Sequence, residues 1–275
     1  MRPSRLVGPV LTYAALALVV LFYLGPIAWI AISSVQPQGR LTSVPPSVSF
    51  AAIQFDNYRD LLASTSFRHS LQRTILVTLG ATAGVLLLAI PTAYAAARLQ
   101  FRGKMTFLMS ILIVQLGPAV AFLIPLFILM RGLGLIDTYA GLILVFVAFV
   151  TPIGVWLLRG FFEGLPPQLE RAARMDGCSR FGAFWRIMVP LAGAGIGAVA
   201  LVAFIVIWGD LLIPLTLTFS RSLLTVFASG FSGEHIINYG GAAATAVISA
   251  VPTVLLVIIF RRFLIRGLTE GSVKQ

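Results

Sequence analysis

Charge is scarce in this 275-residue chain. Asp, Glu, Lys and Arg together make up 11% of it, against roughly 25% in a soluble globular protein. That leaves too little polar surface to coat a water-facing fold. Acidic residues are the rarer sign, nine against 20 Lys+Arg, for a formal net charge of +11. A single cysteine, Cys178, excludes an intrachain disulfide framework. Histidine occurs only at His69 and His235, both outside the long apolar runs, so neither paired metal ligands nor a Ser/His couple can be assembled inside a membrane. Lysine occurs only at Lys104 and Lys274, and neither precedes Ser or Thr. The phosphate-binding run Gly-x-x-x-x-Gly-Lys-Ser/Thr is therefore missing. Period-two alternation of apolar and polar residues is also missing, which argues against a membrane β-barrel.

Apolar residues are plentiful instead. They form 59% of the chain, and the mean hydropathy is +0.98, which excludes disorder. A membrane helix needs ~20 mostly apolar residues to cross a ~30 Å hydrocarbon core. Six runs qualify: Leu6–Ala31, Thr74–Ala97, Met105–Met130, Thr138–Leu158, Ile187–Gly209 and Ile236–Phe260. The first is longer than the ~7–15 residue apolar region of a signal peptide, and it reads as an uncleaved anchor. Pro26, Pro91, Pro118, Pro125, Pro152, Pro214 and Pro252 lie in or near the runs. Neighbouring helices in a bundle can satisfy the carbonyls that proline frees. Small residues cluster at Ala192–Gly195 and Gly240–Ala244. They suit close helix packing, or a surface that slides during a conformational change.

The basic residues orient the spans. With the N-terminus inside, the inner side holds Arg2, Arg5, Arg98, Arg102, Lys104, Arg159, Arg171, Arg174, Arg180, Arg186, Arg261, Arg262, Arg266 and Lys274, 14 of the 20. Arg40, Arg59, Arg68, Arg73, Arg131 and Arg221 remain outside. This bias predicts both ends cytoplasmic, and it accounts for most of the positive charge without nucleic acid. The expected fold class is all-α: a polytopic membrane protein of six transmembrane helices, N-in and C-in. One transmembrane domain is expected over 1–275 with its core at 70–266. External loops are expected at 33–73 and 211–235, the latter re-entering or packing on the bundle. An internal loop is expected at 159–186 and a cytoplasmic tail at 261–275.

The internal loop reads RGFFEGLPPQLERAARMDGCSRFGAFWRIMVPL. Pro166-Pro167 suits a helix start, Gly177 a helix stop with positive φ, and Ser179 the N-cap of a second helix. Leu169, Ala172, Ala173 and Asp176 fall on one face of the first helix, with Glu170, Arg171 and Arg174 on the other. Phe181, Phe184, Trp185 and Met188 follow at helical spacing. Two short amphipathic helices joined by a tight turn are predicted. Physical chemistry alone leaves two uses open: docking onto a partner protein, or lying on lipid headgroups.

The segment LERAARMDGCSRFGAFWRIMVPL resembles the cytoplasmic motif of bacterial ATP-binding-cassette importer permeases. That motif runs Glu-Ala-Ala, three residues later Gly, then an Ile and Leu-Pro. Ala172, Ala173, Gly177, Ile187 and Pro190 fit it, with Val189 in the usual Leu place. Arg171 stands where the family has Glu, although Glu170 precedes it, and Cys178 stands where Ala is frequent. Tyr94–Lys104, GLGLIDTYAGLIL, Trp208–Leu215 and RRFLIRGLTEGSVK are similar to stretches of the carbohydrate-uptake branch, particularly its maltose-type second permease.

The resemblance implies a subunit without covalent chemistry. Its expected partners are a second homologous permease (or a second copy of this chain), two ATP-binding subunits, membrane lipid, and an extracytoplasmic solute-binding protein or lipoprotein. ATP and magnesium would bind in the partner ATPase, and no cofactor or metal is expected on this chain. The resemblance assigns ATPase coupling to Leu169, Glu170, Arg171, Ala172, Ala173, Asp176, Gly177, Ile187 and Pro190. Ala172, Ala173 and Gly177 are expected at the contact, and Arg171 at its periphery, pairing with an acidic patch on the ATPase or with Glu170 or Asp176. The tail residues Gly267, Thr269, Gly271 and Lys274 are expected against the ATPase as a flexible strand, with Arg261, Arg262 and Arg266 at the membrane surface. The cargo would be a sugar, a di- or oligosaccharide.

A substrate path is less legible. Polar groups inside spans are functional candidates by default, which singles out Gln115, Tyr94, Trp208, Asp210 and Asn238, beside weaker aromatics at Tyr139 and Trp156. Interhelical hydrogen bonding and interfacial anchoring explain the same residues. The competing class is a secondary transporter or channel for a small polar solute, but that class usually places ionisable groups at mid-membrane, and the middles of these runs lack charge.

Overall fold

The computed structural model describes residues 4–231 and 238–270. Among them the chain is helical with irregular connections and no strand. The main helices are α1 (Ser4–Ser33), α2 (Asp56–Ala63), α3 (Thr65–Arg98), α4 (Lys104–Leu116), α5 (Ala119–Gly132), α6 (Tyr139–Gly164), α7 (Pro167–Met175), α8 (Arg180–Leu191, with a π turn at Phe184–Met188), α9 (Gly193–Gly209), α10 (Leu212–Leu217), α11 (Leu224–Ser229) and α12 (Tyr239–Glu270). Four stretches are long and apolar enough to cross a membrane: Leu11–Ser33, Thr65–Arg98, Tyr139–Gly164 and Tyr239–Arg261.

Two expected spans take a different form. Met105–Met130 is not one helix, because the chain breaks between α4 and α5 at Gly117-Pro118. Pro118 carries no N–H and pushes Gly117 into an extended conformation. The run expected from Ile187 begins instead at Gly193. Ile187 and Pro190 belong to α8, and α8 bends from α9 by 72°. The expected external loop 211–235 contains α10 and α11, with Ile213, Pro214, Leu217 and Leu224 buried. Through Glu270 the expected tail strand is helix, so Gly267 and Thr269 continue α12. His235, Ile236, Gly271 and Lys274 lie outside the described residues.

The chain forms two compact units, 1–68 with 227–252, and 69–226 with 253–275. In the first, the connection after α1 is tied by its own polar side chains. Buried Gln36 exchanges bonds with the backbone of Ser49 at 3.2 Å. Asn57 Nδ2 donates to the carbonyls of Ser34 and Gln36. The Ser34 and Tyr58 hydroxyls meet at 2.7 Å. Residues 33–63 are thus an ordered segment rather than an open loop.

The second unit is built on α3 and α6. Val77, Ala81 and Val85 pack with Leu142, Val145, Phe146, Ala203 and Ile207. Further along, Ala89 and Ala93 pack with Val155, Leu158, Phe162, Phe184 and Met188. Gly80 and Gly84 permit the approach. A Cβ on Gly80 would lie 2.9 Å from Ile143, and one on Gly84 2.6 Å from Val147. Backbones come this close where small residues stand four apart.

Candidate functional site

The Pro167–Leu191 arm connects α6 to α9. Pro166 and Pro167 set the start of α7, where the missing N–H is harmless. The helix stops at Gly177, whose φ of +91° favours glycine. Ser179 then caps α8, its hydroxyl accepting from Gly182 N–H at 3.0 Å. The aromatic group packs on itself, with Phe184 against Trp185 at 5.0 Å and Phe181 against Trp185 at 6.2 Å.

The faces of α7 divide differently from the expectation. Ala173 is only 4% exposed, buried within its own chain, so its side chain is not offered outward. Glu170 turns inward beside it. Its Oε1 accepts from the Tyr94 hydroxyl at 2.8 Å. The Tyr94 ring is held by Phe162 and Phe184, with centroids 5.7 and 4.6 Å away. One turn on, Arg98 donates to the Leu165 carbonyl. The outward surface of α7 is therefore Leu169, Arg171, Ala172, Arg174, Met175 and Asp176, with Met175 87% exposed. Periodicity had grouped Ala173 with Leu169 and Ala172. The capture of Glu170 by a tyrosine 76 residues earlier rotates the helix away from that grouping.

The five path candidates are each engaged locally. Tyr94 belongs to the α7 contact. Gln115 donates from Nε2 to the Phe149 carbonyl at 2.6 Å, bridging α4 and α6. Trp208 is buried and stacked on Phe204 at 5.3 Å. Asp210 accepts from Ile213 N–H at 2.9 Å and so starts α10. Asn238 accepts from Gly241 N–H at 2.8 Å and caps α12.

A polar cluster that the sequence reading missed lies near the other end of α3. Asp137 has φ +56°, a left-handed conformation that Asp tolerates better than most residues. Its Oδ1 accepts from the backbone N–H groups of Phe219, Ser220 and Arg221 at 3.1–3.3 Å, and the Ser220 hydroxyl donates to Oδ2. Burial alone would raise the Asp137 pKa. The Ser220 hydroxyl and the three N–H donors outweigh it and hold the carboxyl below its ordinary value. Arg221 lies 5.2 Å from the Tyr139 ring centroid, and Arg73 donates to the Ser220 carbonyl at 3.2 Å. The available signal was the Asp-Thr pair before an apolar run, where Thr138 caps α6.

Comparison with known proteins identifies the architecture. A family model described as the binding-protein-dependent transport system inner membrane component matches residues 86–270. The trehalose transport system permease protein SugB of Mycobacterium tuberculosis is 36% identical over 264 residues, covering 94% of each chain. The arabinooligosaccharides transport system permease protein AraQ of Bacillus subtilis is 32% identical, covering 92% of each. Among solved structures, a bacterial ABC transporter that imports the acidic polysaccharide alginate aligns with a TM-score of 0.78. It is 24% identical and covers 95% of this chain and 98% of that one, which supports the fold.

Proposed function

The chain belongs to the family of binding-protein-dependent transport system inner membrane components, and we propose that its cargo is an uncharged di- or oligosaccharide. It is a multi-pass inner-membrane permease subunit of an ATP-driven sugar importer, not an enzyme, and ATP hydrolysis lies in a separate subunit. Trehalose and arabinooligosaccharides are the cargo named for two relatives. The lack of charge in the middles of the apolar runs supports an uncharged sugar here.

In this reading the chain has six spans. The α4–α5 pair counts as one broken span, and α9 as one, with α8 as its bent cytoplasmic entry. Both ends are cytoplasmic, so α7, α8 and the end of α12 lie inside, and the Asp137 cluster lies outside. A second permease, or a second copy of this chain, completes the pathway. A solute-binding protein delivers the sugar from outside, and two ATP-binding subunits sit beneath.

The observation that carries the coupling role is the α7–α8 arm. Two short helices stand between α6 and α9, joined to α9 through a 72° bend, with Leu169, Ala172 and Met175 turned outward. Closure of the ATPase dimer would push this arm and shift the population of pathway states, provided that the ATPase binds the two states with different affinity. The α12 terminus from Gly267 is proposed as a lesser contact. Single cysteines in a Cys178→Ser background, probed with an impermeant reagent in intact cells, test the orientation. Labelling of positions 171–180 from outside would overturn it. Gly177→Pro should abolish sugar uptake while the protein still inserts. Normal uptake of a disaccharide by that variant would remove the coupling role.

A further inference from the structure

The outward surface of the α7–α8 arm is unevenly charged. Arg171, Arg174, Arg180 and Arg186 are all exposed. The acids near them do not balance these four charges. Glu170 is turned inward onto Tyr94, and Glu163 pairs with Arg159 at 2.7 Å. Asp176 is exposed but forms no ion pair with Arg171 or Arg174 among the described residues. Pairing within the loop, one expectation for Arg171, is therefore not what the arm does with this residue. The position of Arg174 in the last turn of α7 suits the helix dipole, but Arg171, a turn earlier, has no such reason.

Anionic lipid is the competing recipient of these charges. A helix that lies on headgroups buries a broad apolar face between its basic flanks. On α7 the outward apolar residues Leu169, Ala172 and Met175 form one narrow stripe, Ala173 is already buried in the chain, and on α8 exposed Phe181 and Trp185 pack on each other. The stripe is narrow and has exposed Asp176 at its edge, so α7 offers no broad apolar face to insert. Arginine also presents a planar fork that matches a carboxylate in two parallel bonds. Arg171 and Arg174, three apart on α7, are neighbours on its surface, and exposed small Ala172 beside Arg171 leaves room for a partner surface.

We infer that this arm selects an ATP-binding subunit whose receiving groove is acidic, with carboxylates set against Arg171 and Arg174. The inference rests on the proposed docking of the arm and adds the chemistry that would choose among ATPases. Charge complementarity of this kind sets specificity and encounter rate, and like-charge pairing at an interface is penalised. A permease arm of this charge should reject an ATPase with a basic groove even where the shapes match.

The test uses the full chain carrying Cys178→Ser and Ala172→Cys, co-expressed with the ATP-binding subunit that restores sugar uptake with it. The complex is placed in phosphatidylcholine nanodiscs and in nanodiscs that also contain phosphatidylglycerol. Crosslinking from position 172 reports docking, and subunit affinity reports charge. Arg171→Glu with Arg174→Glu should weaken affinity at least about tenfold at low salt, equally in both lipids. Arg171→Lys with Arg174→Lys should keep most of the affinity. The gap between the reversed and native forms should shrink as salt rises from ~0.01 to ~1 M and the Debye length falls from ~30 to ~3 Å. A normal crosslink with unchanged affinity in the reversed variant would overturn the acidic groove and leave docking intact. A loss confined to phosphatidylglycerol discs would assign the arginines to lipid and also overturn it. Absence of any crosslink from position 172 to the ATPase in the native-charge chain would overturn docking itself.

Discussion

The 69–226 unit is tied near each end of α3 by one carboxylate, and the two ties differ in their donors. Asp137 is gripped by three consecutive backbone N–H groups and the Ser220 hydroxyl. Glu170 is held by a single phenol, Tyr94. The first grip sets several donors, three of them fixed in the backbone, against one carboxylate. The second depends on one side-chain bond, with one further bond from Arg98 to the Leu165 carbonyl nearby. If this end follows an ATPase, as proposed, it needs a contact that can be made and broken. An end that only has to hold two connections together does not. The ~20 residues of α3 between Thr74 and Tyr94 span ~30 Å, so these are separate places, and each can be broken alone.

The largest effect is expected where both ties lose their common support. Gly84 faces Val147, whose Cγ2 lies 2.6 Å from where a Cβ would stand. Gly84→Leu must separate α3 from α6 along the seam that carries both ends. Overpacking of this kind costs ~1–3 kcal/mol or more, and the upper end is expected because the neighbour is a branched side chain within the packed seam. Thermal unfolding in detergent should shift down strongly, and little protein should reach the membrane. Native melting behaviour would show that the seam is not what holds the ends in register.

Next in size is Asp137→Ala. It removes a charged acceptor from several donors at once and places Ala in a left-handed conformation. Hydrogen bonds to charged groups are worth ~1.5–3 kcal/mol each but do not add, so a loss on the order of 2–3 kcal/mol is expected. Asp137→Asn keeps an acceptor and tolerates the positive φ, and it should lose less. The carboxyl is held below its ordinary value, which fixes the sign of the pH effect. Its stabilisation is fully present above the unfolded value of ~4 and is lost as pH falls through the folded value. The stability gap between native protein and Asp137→Asn should stay constant from about pH 7 to 5 and close only below about pH 4. A gap that closed near neutrality would mean that another group controls this end.

Tyr94→Phe should cost less stability and more function. The ring keeps its contacts with Phe162 and Phe184, and Glu170 is half-buried, so water can replace part of the lost bond. About 1 kcal/mol of stability is expected. α7, however, loses its tether to α3, and under the proposed coupling role sugar imported per ATP hydrolysed should fall. A variant with unchanged stoichiometry would reduce this bond to ordinary packing.

How far the sequence foretold these places depends on the range of the interaction that makes them. The turn of the α7–α8 arm was legible because its signals are local. Proline at the helix start, glycine at positive φ and a serine cap each act within four residues. The spans on α3 and α6 were legible as long apolar runs. The α4–α5 break was not, because a proline within an apolar run produces either a kink or an interruption according to what packs around it. The inward face of α7 was hidden for the same reason, since it is set by Tyr94. Asp137 was passed over because its donors lie more than 80 residues later. Gly80 and Gly84 carried a visible four-residue spacing. The Gly/Ala clusters of later runs carry the same signal, and spacing alone does not rank them.

The smallest effect should come from the contact that looks strongest in a census of charges. Arg159 and Glu163 form the one salt bridge found among the described residues, at 2.7 Å, and they lie on the same end of α6 that leads into the α7–α8 arm. The Arg159 guanidinium also sits 5.3 Å from the Trp156 ring centroid. If charge pairing held this end, Glu163→Gln would matter more than Tyr94→Phe. The physics points the other way. The pair joins i to i+4 on one helix, so it ties no second element to α6. Its Glu163 side chain is 44% exposed, and helical pairs of this kind are worth ~0.3–0.5 kcal/mol and are screened by salt. The Tyr94–Glu170 bond instead links residues on two helices through a partly buried site. Glu163→Gln should therefore shift stability by no more than about 0.5 kcal/mol and leave sugar transported per ATP unchanged, while Tyr94→Phe lowers it. Measuring both variants in the same reconstituted importer sets the order, and a reversed order would place the tether of the coupling end on α6 rather than α3.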